Sequence, residues 1–525
     1  MSSLMKLLLV AAFFNGLSWI ILIPVWQYPD EQAHFAQIQD IAELGKVPTN
    51  SFDTSYEIAL SEKILGTERD QFGNNKFTYH PEYRLDYSDN YFGPQENLIT
   101  SLPKSARTQL VKNEATFNPP LYYFLGSFFY KLFENNSLFS RIYVVRLMSL
   151  IFFLTTIIIS FKIGQLIFLK SKTFPLVLAS LVAFMPMLVF ASTGVLPDSL
   201  TNLLFTIVLF LCLKILNQRL ETSSIIMITL TIILGVLTRQ QFLITVPMVF
   251  LAIFFQIRKD FKNIIKVILG LITILFAFFL INSKGTEIPI ISEFRLHEPS
   301  NNNFMMIFDP KFLDFQIWTL KHMVNEVLPW YWGVYKWLSL TVPHINYQII
   351  NRIIFIALFG ILIRIIKMII ARELTRSDVI FLFMILASVI YFFIFAIWDY
   401  FFFLSHGFSF GIQGRYFFPL IVFYLSILLI GFWQILEIIF KRYAKYVILI
   451  ISFLMILFND SSLSYVATSY YDFSNIDVFI KQVSQYKPFL LKGNIILLVL
   501  FISFVLQSFF IFSLGKYIIR SNEST

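Results

Sequence analysis

Cysteine is nearly absent from this chain, which has one, Cys212, among 525 residues. A lone thiol cannot form an intramolecular disulfide, and Cys212 lies inside an apolar run where a thiolate would be poorly solvated. The sequence also lacks heptads, internal repeats and low-complexity linkers. We therefore expect neither a disulfide framework nor a cysteine nucleophile, and the chain is not a repeat or coiled-coil protein.

Charged residues are also scarce. Only 14% of the residues are charged, 57% are apolar, and the mean hydropathy is +0.71. Most of such a chain must lie in lipid, where helices satisfy their own backbone hydrogen bonds. The predicted fold class is an all-α polytopic membrane protein, organised as one integral membrane domain over residues 1–525.

Apolar runs long enough to cross a bilayer predict about twelve transmembrane helices. They are centred on residues 5–26, 144–168, 174–192, 199–216, 223–238, 241–257, 264–282, 351–370, 378–398, 416–434, 445–458 and 494–515. The third and fourth are separated by only a few residues around Pro197, and the fifth and eleventh are short. These features leave the exact count open by one or two.

The distribution of basic residues agrees with these spans. If the N-terminus is cytoplasmic, the inside segments hold Lys6, Lys170, Lys172, Lys214, Arg219, Arg258, Lys259, Lys262, Lys266, Arg364, Lys367, Arg372, Arg376, Lys441, Arg442, Lys445, Lys516 and Arg520. The short outside loops hold only Arg239 and Arg415. This asymmetry follows the positive-inside rule and accounts for the net charge of +9 without a nucleic-acid partner.

Three outside segments are too long to be simple connectors: residues 27–143, 283–350 and 459–493. The first is the polar one, and its opening, 30–44, has apolar residues at a spacing that predicts an amphipathic helix along the membrane surface. Asn118-Pro119-Pro120 predicts the start of a second such helix, since proline suits the first helical positions. The large first loop is thus expected to carry two juxtamembrane helices.

The candidate catalytic residues stand directly after the first span, in Pro29-Asp30-Glu31 with His34 one helical turn later. A carboxylate at a membrane boundary is what proton abstraction at a bilayer surface requires. Asp30 and Glu31 point about 100° apart on a helix, so either is a candidate base. His34 can hydrogen-bond the acid or ligate a metal. A simple helix start at Asp30 and Glu31, and a satisfied interfacial His34, are the alternatives.

Arg415 and Arg239 break the charge rule and are the candidate phosphate-binding residues. Arg415 follows Gln413 and two glycines, Gly411 and Gly414, a backbone that can approach a ligand closely. A guanidinium offers two parallel donors to phosphate oxygens. The alternative for both arginines is a side chain that only extends from a helix end toward water.

Two further polar residues are weaker candidates for substrate binding. Asp198, in Leu196-Pro197-Asp198-Ser199, is expected mainly to cap the fourth span. His80 stands before Pro81 in the first loop. No spaced second metal ligand accompanies His34, so the sequence predicts no metal site and leaves a divalent-metal cofactor open.

These motifs carry a resemblance. Pro29-Asp30-Glu31-x-x-His34-Phe35 after the first span, Pro119-Pro120-Leu121-Tyr122-Tyr123 late in the first loop, and Gln413-Gly414-Arg415-Tyr416 resemble the GT-C superfamily of integral membrane glycosyltransferases, in particular a poorly characterised bacterial branch. The resemblance spans the architecture of nearly the whole chain, while its specific motifs cover only about twenty residues.

The resemblance implies an inverting transfer of a sugar from a polyprenyl-phosphate or diphosphate donor to a glycan, lipid or protein acceptor. It places the base at the end of the first helix and the reaction on the extracytoplasmic face of a bacterial-type inner membrane, in assembly of a cell-envelope glycan. Membrane lipid, donor and acceptor are then the expected partners.

Two other functions fit the same composition. A glycan polymerase or ligase also keeps arginines outside, but lacks an acid-rich loop immediately after its first helix. A lipid-glycan flippase or secondary transporter should bury charges near the mid-plane of discontinuous helices and show repeat symmetry. Here the candidate charges lie at the outer rim of the predicted spans, which favours the transferase.

Overall fold

A computed structural model describes residues 3–47, 53–71, 73–83, 87, 92–113, 118–218, 221–257, 310–371, 374–440 and 444–520. Its helices are α1 Ser3–Leu22, α2 Glu31–Leu44, α3 Tyr56–Leu65, α4 Lys76–Tyr79, α5 Phe92–Thr100, α6 Leu121–Leu132, α7 Leu138–Ile167, α8 Phe174–Phe184, α9 Pro186–Thr193, α10 Asp198–Asn217, α11 Thr222–Val236, α12 Thr245–Ile257, α13 Pro310–His322, α14 Leu328–Trp332, α15 His344–Ile370, α16 Arg376–His406, α17 Ile421–Ile439, α18 Ala444–Thr468, α19 Ile476–Val483 and α20 Ile495–Arg520.

Two small antiparallel hairpins complete the described structure. Strand β1, Asp53–Ser55, pairs with β2, Leu110–Lys112, and β3, Val334–Tyr335, pairs with β4, Leu340–Thr341. Short 3-10 turns cover Pro81–Tyr83, Lys104–Arg107, Gln240–Ile244, Gly414–Leu420 and Phe489–Leu491, and a π-helical turn covers Met323–Val327. Helices dominate, as the composition predicted.

The prediction of a helical polytopic membrane protein is confirmed. Among the described residues, eight helices are long and apolar enough to cross a membrane, or nine if one bent pair counts as a span. Two shorter apolar helices cover Thr222–Val236 and Gln240–Gln256. Eleven of the predicted spans therefore coincide with apolar helices. The seventh, 264–282, lies outside the described residues, as do the basic residues 258–266, Arg219, Arg372, Lys441 and Arg442.

The third span is broken in two. α8 and α9 meet at Met185-Pro186 and are bent by 60°. Pro186 cannot donate a backbone hydrogen bond, and proline forces the residue before it out of the helical region. Met185 accordingly adopts an extended backbone, with φ −70° and ψ 111°.

The first helix ends at Leu22, four residues before the predicted boundary at Trp26. Pro24 interrupts the run, and Trp26 has a left-handed backbone with φ 62°. The carbonyl groups left at the helix end are satisfied by a buried arginine from α7. Arg146 donates to the carbonyls of Ile20, Ile23 and Pro24 at 3.2, 2.9 and 2.9 Å.

The two predicted juxtamembrane helices are present as α2 and α6, and they pack against each other. The α2 helix does not lie exposed on a surface, because Glu31 through Ile41 are all buried. Its polar side chains are satisfied within the protein: Gln37 donates to the Asn118 carbonyl at 2.9 Å, and Gln39 donates to Glu57 at 2.8 Å. The first loop therefore folds around α2.

Close helix contacts depend on small residues. A Cβ atom on Gly360 of α15 would lie 1.7 Å from the carbonyl oxygen of Gly431 in α17. Neither glycine can be enlarged without separating the two backbones, a packing typical of membrane helices.

The described parts of the three long loops meet at one end of the helix bundle. Tyr79 donates to the Trp337 carbonyl at 2.6 Å, and Lys336 donates to the Ser469 carbonyl at 3.0 Å. The Tyr486 backbone amide donates to Glu96 at 3.1 Å. These hydrogen bonds join the described parts of the three loops to one another. That the joined loops face the outside of the cell stays a prediction.

Candidate active site

Asp30 occupies a strained turn between α1 and α2. Its φ of 53° and ψ of 20° are left-handed, a conformation that aspartate and asparagine tolerate better than most residues. Its backbone carbonyl accepts the first helical bond, from the His34 amide at 3.0 Å. A helix does begin at Glu31, as the alternative reading of this motif expects, but the Asp30 side chain makes no capping hydrogen bond to it. The carboxylate is directed to other partners.

Those partners are arginines from two distant parts of the chain. Arg69 donates to Asp30 Oδ1 at 2.6 Å, and its guanidinium lies 4.4 Å from the Trp337 ring centroid. The Nη2 atom of Arg415 lies 3.7 Å from Asp30 Oδ2, a distance that allows attraction without a hydrogen bond. Asp30 and Arg415, predicted separately from the sequence, are therefore neighbours.

Asp198 and Arg239 extend this group. Arg239 lies 3.1 Å from Asp198 Oδ1, and Arg415 lies 3.9 Å from Asp198 Oδ2. Asp198 is the first residue of α10 and Pro197 occupies the N-cap position, so Asp198 is not the capping residue that we predict. We call Asp30, Arg69, Asp198, Arg239 and Arg415 the charge cluster. Its three arginines and two aspartates leave one excess positive charge.

The cluster is mostly buried, but part of it still reaches the surface of the protein. The Arg415 side chain is 8% exposed, whereas 34% of the Asp30 side chain is exposed. Burial alone would raise the pKa of the Asp30 carboxyl, but the Arg415 and Arg69 guanidiniums outweigh burial and lower that pKa below its usual value. Asp30 is therefore a carboxylate at neutral pH, accessible to a small group.

His34 stands one turn along α2 from the cluster. Its Nδ1 lies 2.8 Å from the Tyr123 hydroxyl, and the two rings stack at 6.0 Å. Burial lowers the pKa of His34 to about 4, although Asp30 acts in the opposite direction. His34 is thus neutral at physiological pH and serves as a hydrogen-bonding group.

The lowered pKa of His34 predicts a pH-dependent stability. Between pH 6.5 and about 4 the unfolded chain binds the proton and the folded chain does not, so the free energy of unfolding falls as the pH falls. The full difference corresponds to about 3 kcal/mol. We expect the thermal unfolding midpoint of the detergent-solubilised wild type to fall more steeply across this window than that of His34→Gln.

Asp40 has the opposite effect on how the free energy of unfolding changes with pH. Burial, helped by Asp53, raises the pKa of Asp40 to about 6, so protonation of Asp40 favours the folded state as the pH falls. Because Asp40 is unchanged in His34→Gln, its contribution cancels when the two profiles are subtracted. Parallel profiles for the two proteins would show that His34 is not held neutral by burial.

Glu31, the second candidate base, lies outside the charge cluster. Its two oxygens accept from Arg146 at 2.7 and 2.6 Å and from the backbone amides of Trp26 and Val195 at 3.0 and 3.3 Å. Both charged side chains are 0% exposed. Four donors hold this carboxylate inside the protein, where it joins α2 to α7 and to the end of α1. It is not placed to accept a proton from a substrate.

Gln413 and Gly414 position Arg415. Gln413 has an extended backbone, and its carbonyl accepts from the Tyr416 amide at 3.1 Å to begin the 3-10 turn. A Cβ atom on Gly414 would lie 2.2 Å from the Tyr331 backbone nitrogen. The glycine is therefore required by contact with the Tyr331 backbone, whereas the sequence predicts close approach of a ligand.

His80 is engaged elsewhere in the first loop. Its Nε2 lies 2.9 Å from Asp70 Oδ2, and its Nδ1 lies 3.6 Å from Glu82. This contact stabilises the turn that follows Arg69. Across the described residues, no three His, Cys, Asp or Glu side chains come together as a metal-ligand set.

Two important residues were missed by sequence reasoning. Arg69 stands in Glu68-Arg69-Asp70, an ordinary polar stretch, and no spacing rule connects it to Asp30 across 39 residues. Arg146 did carry a signal, because it lies inside the apolar run 144–168, and a charge within a span marks a buried partner. That partner is Glu31.

The fold and the site define a helical membrane protein with a charge cluster at one end of its bundle. The chain belongs to the family described as "Predicted membrane protein (DUF2142)", whose model matches residues 13–424. No curated protein matches the sequence.

Solved structures give distant similarities. The Archaeoglobus fulgidus oligosaccharyltransferase in the apo form has a TM-score of 0.44 and 13% identity, covering 89% of this chain and 56% of its own. The same organism's oligosaccharyltransferase AglB, in complex with an inhibitory peptide and a dolichol-phosphate, has a TM-score of 0.42 and 14% identity, covering 88% and 55%. ArnT from Cupriavidus metallidurans, bound to undecaprenyl phosphate, has a TM-score of 0.37 and 12% identity, covering 97% and 76%. This chain thus spans about half the length of the oligosaccharyltransferases.

Proposed function

We propose that this protein is a GT-C-type inverting glycosyltransferase. It moves a sugar from a polyprenyl-phosphate or diphosphate donor to a glycan, lipid or protein acceptor. The reaction takes place on the extracytoplasmic face of a bacterial-type inner membrane, in the assembly of a cell-envelope glycan. The membrane lipid, the lipid-linked donor and the acceptor are its partners.

The observation that carries the proposal is that an ionised, accessible carboxylate lies beside the loosely held Arg415, with Arg239 paired to Asp198 behind it. Arg415 lies 3.7 Å from Asp30 and 3.9 Å from Asp198, so neither contact is a tight hydrogen bond. In the described part of the chain, the buried Nε atoms of Arg239 and Arg415 have no hydrogen-bond partner. The net positive charge and these unused donors suit a phosphate.

The roles follow from the chemistry of glycosyl transfer. The acceptor oxygen bonds to the anomeric carbon as the bond from that carbon to the phosphate oxygen breaks, which inverts the configuration. Asp30 takes the proton of the acceptor hydroxyl. Arg415, with Arg239 behind it, stabilises the charge that remains on the departing phosphate.

Arg415 also couples donor binding to the strength of the base. Without a donor, its positive charge helps to lower the pKa of Asp30. A phosphate bound to Arg415 adds negative charge beside Asp30, which raises the pKa of that carboxyl and makes it a stronger proton acceptor. The base is thus strengthened when the donor is in place.

Substitution of Arg415 tests the phosphate site. Lysine keeps the charge but loses the planar pair of donors, so we expect Arg415→Lys to bind undecaprenyl phosphate ~10- to 100-fold more weakly than wild type. Arg415→Ala should be weaker still. Binding of undecaprenyl phosphate, with undecaprenol as the phosphate-free comparison, would be measured by titration in detergent.

The matched control is Arg352, an exposed arginine on α15. Arg352→Lys and Arg352→Ala should bind undecaprenyl phosphate as the wild type does. If Arg415→Ala also binds it normally, the phosphate site lies elsewhere and Arg415 only balances the two aspartates.

A further inference from the structure

A cavity separate from the charge cluster lies within the apolar part of the bundle. Its volume is about 470 Å³, and its walls come from α1, α18, α19 and α20. Most of the wall is apolar, including Leu22, Leu463, Leu500 and Phe504. None of the five cluster residues lines it. The cavity is large enough for part of an amphiphile.

The floor of this cavity is polar. Asp460 of α18 accepts from the neighbouring Asn459 side chain at 3.0 Å. The Gln507 amide of α20, in the orientation that satisfies its neighbours, donates to both Asp460 oxygens at 2.9 and 3.0 Å and accepts from Ser503 at 3.0 Å. Behind them, Asn459 donates to Asn15 of α1 at 2.7 Å. Three helices thus supply one network that ends at a carboxyl group facing the cavity.

The depth of Asp460 makes this carboxyl group unusual. The predicted outside loop 459–493 begins too early, because the apolar helix continues to Thr468. Asp460 lies eight residues before that end, which at 1.5 Å per residue is about 12 Å inside the helix. No Lys, Arg or His among the described residues forms an ion pair with Asp460, unlike Asp30, Asp198 and Glu31. A carboxylate at such a depth is costly without a positive partner and marks a functional site.

We propose that the cavity binds an amphiphile with an ammonium head and a single apolar chain. The ammonium group would meet Asp460 and supply the missing positive charge, while the chain would lie along the apolar wall. An anionic head is disfavoured, because the lining contains a carboxyl group and no basic side chain. Phe473, Ile476 and Phe504 line the cavity and are exposed, so the cavity opens to the surface of the protein.

The experiment uses the full chain in nonionic detergent and three probes with the same twelve-carbon chain: dodecylamine, dodecan-1-ol and dodecanoate. We expect dodecylamine to raise the thermal unfolding midpoint of the wild type in a saturable way, and the other two to have no saturable effect. In Asp460→Asn the apparent affinity for dodecylamine should fall ~10- to 100-fold, the range for loss of a hydrogen bond to a charged group.

Two variants serve as controls. Asp472→Asn makes the same substitution at an exposed position in the loop between α18 and α19, and it should bind dodecylamine as the wild type does. Ser464→Phe narrows the cavity without altering Asp460, and it should also lose binding, which covers the case in which Asp460→Asn does not fold. Equal dodecylamine affinity in the wild type, Asp460→Asn and Ser464→Phe would overturn the proposal, as would stronger binding of dodecanoate. No sugar transfer is measured, so the result is independent of the proposed glycosyltransferase activity.

Discussion

Asp30→Asn is expected to lower kcat for sugar transfer by about 10²- to 10⁴-fold, the range for loss of a general base. Asparagine keeps the size of the side chain and tolerates the left-handed backbone at φ 53°, so the turn before α2 is retained. Alanine would be a poorer choice, because it adds backbone strain to the loss of the carboxylate. The measurement is single-turnover transfer from a lipid-linked sugar, together with donor binding.

Donor binding should survive in Asp30→Asn or become tighter, because the amide no longer competes with the phosphate for Arg415. Asp477→Asn, an exposed aspartate in the first turn of α19, is the matched control and should transfer normally. Near-normal turnover in Asp30→Asn would remove this carboxylate from the mechanism, whereas loss of both binding and turnover would indicate a structural role.

Arg146→Met is expected to destabilise the protein by about 3–5 kcal/mol, the cost of leaving a buried charge without its partner. Glu31 would keep only the backbone amides of Trp26 and Val195 as donors. The carbonyls of Ile20, Ile23 and Pro24 at the end of α1 would lose the donors supplied by Arg146. The measurement is the thermal unfolding midpoint in detergent.

A double-substitution cycle separates the ion pair from the other contacts of Arg146. Glu31→Gln alone should also destabilise the protein, since it leaves the arginine charge buried. The double variant Glu31→Gln/Arg146→Met should lose less free energy of unfolding than the sum of the losses in the two single variants. Arg352→Met, at an exposed site, is the control for the change from arginine to methionine. Additive effects in the cycle would mean that Arg146 acts only through the α1 carbonyls.

The adjacent acids Asp30 and Glu31 show how far sequence reasoning reached at the site. Their position next to the first span, and the angle between them along a helix, could be predicted from spacing alone. Spacing could not predict which of the two faces solvent, because this depends on Arg146, 115 residues away from Glu31, and on Arg69 and Arg415 beside Asp30. The local sequence does not distinguish the two carboxylates; the positions of their arginine partners in the folded protein do.

Gly414 and Asp198 show the same limit for local rules. The sequence predicts that the glycine of the Gln-Gly-Arg segment lets a ligand approach closely, but this glycine is needed for contact with the Tyr331 backbone. Asp198 stands where a cap is expected, yet its carboxylate pairs with Arg239 and Arg415. In both cases the role of the residue is set by a tertiary contact, the close approach of a backbone for Gly414 and an ion pair for Asp198, and not by the local preference of the residue type.

By itself, the sequence determined the class of the protein and the positions of most of its helices, because the cost of placing polar backbone and charge in lipid acts on each segment separately. It also determined which rare charges stand near one rim. Only the tertiary structure decided which charges meet: Asp30 with Arg69 and Arg415, Glu31 with Arg146, and Asp460 with no basic partner among the described residues. Electrostatic attraction acts through space between segments far apart in the chain, and residue spacing along the chain does not encode those distances.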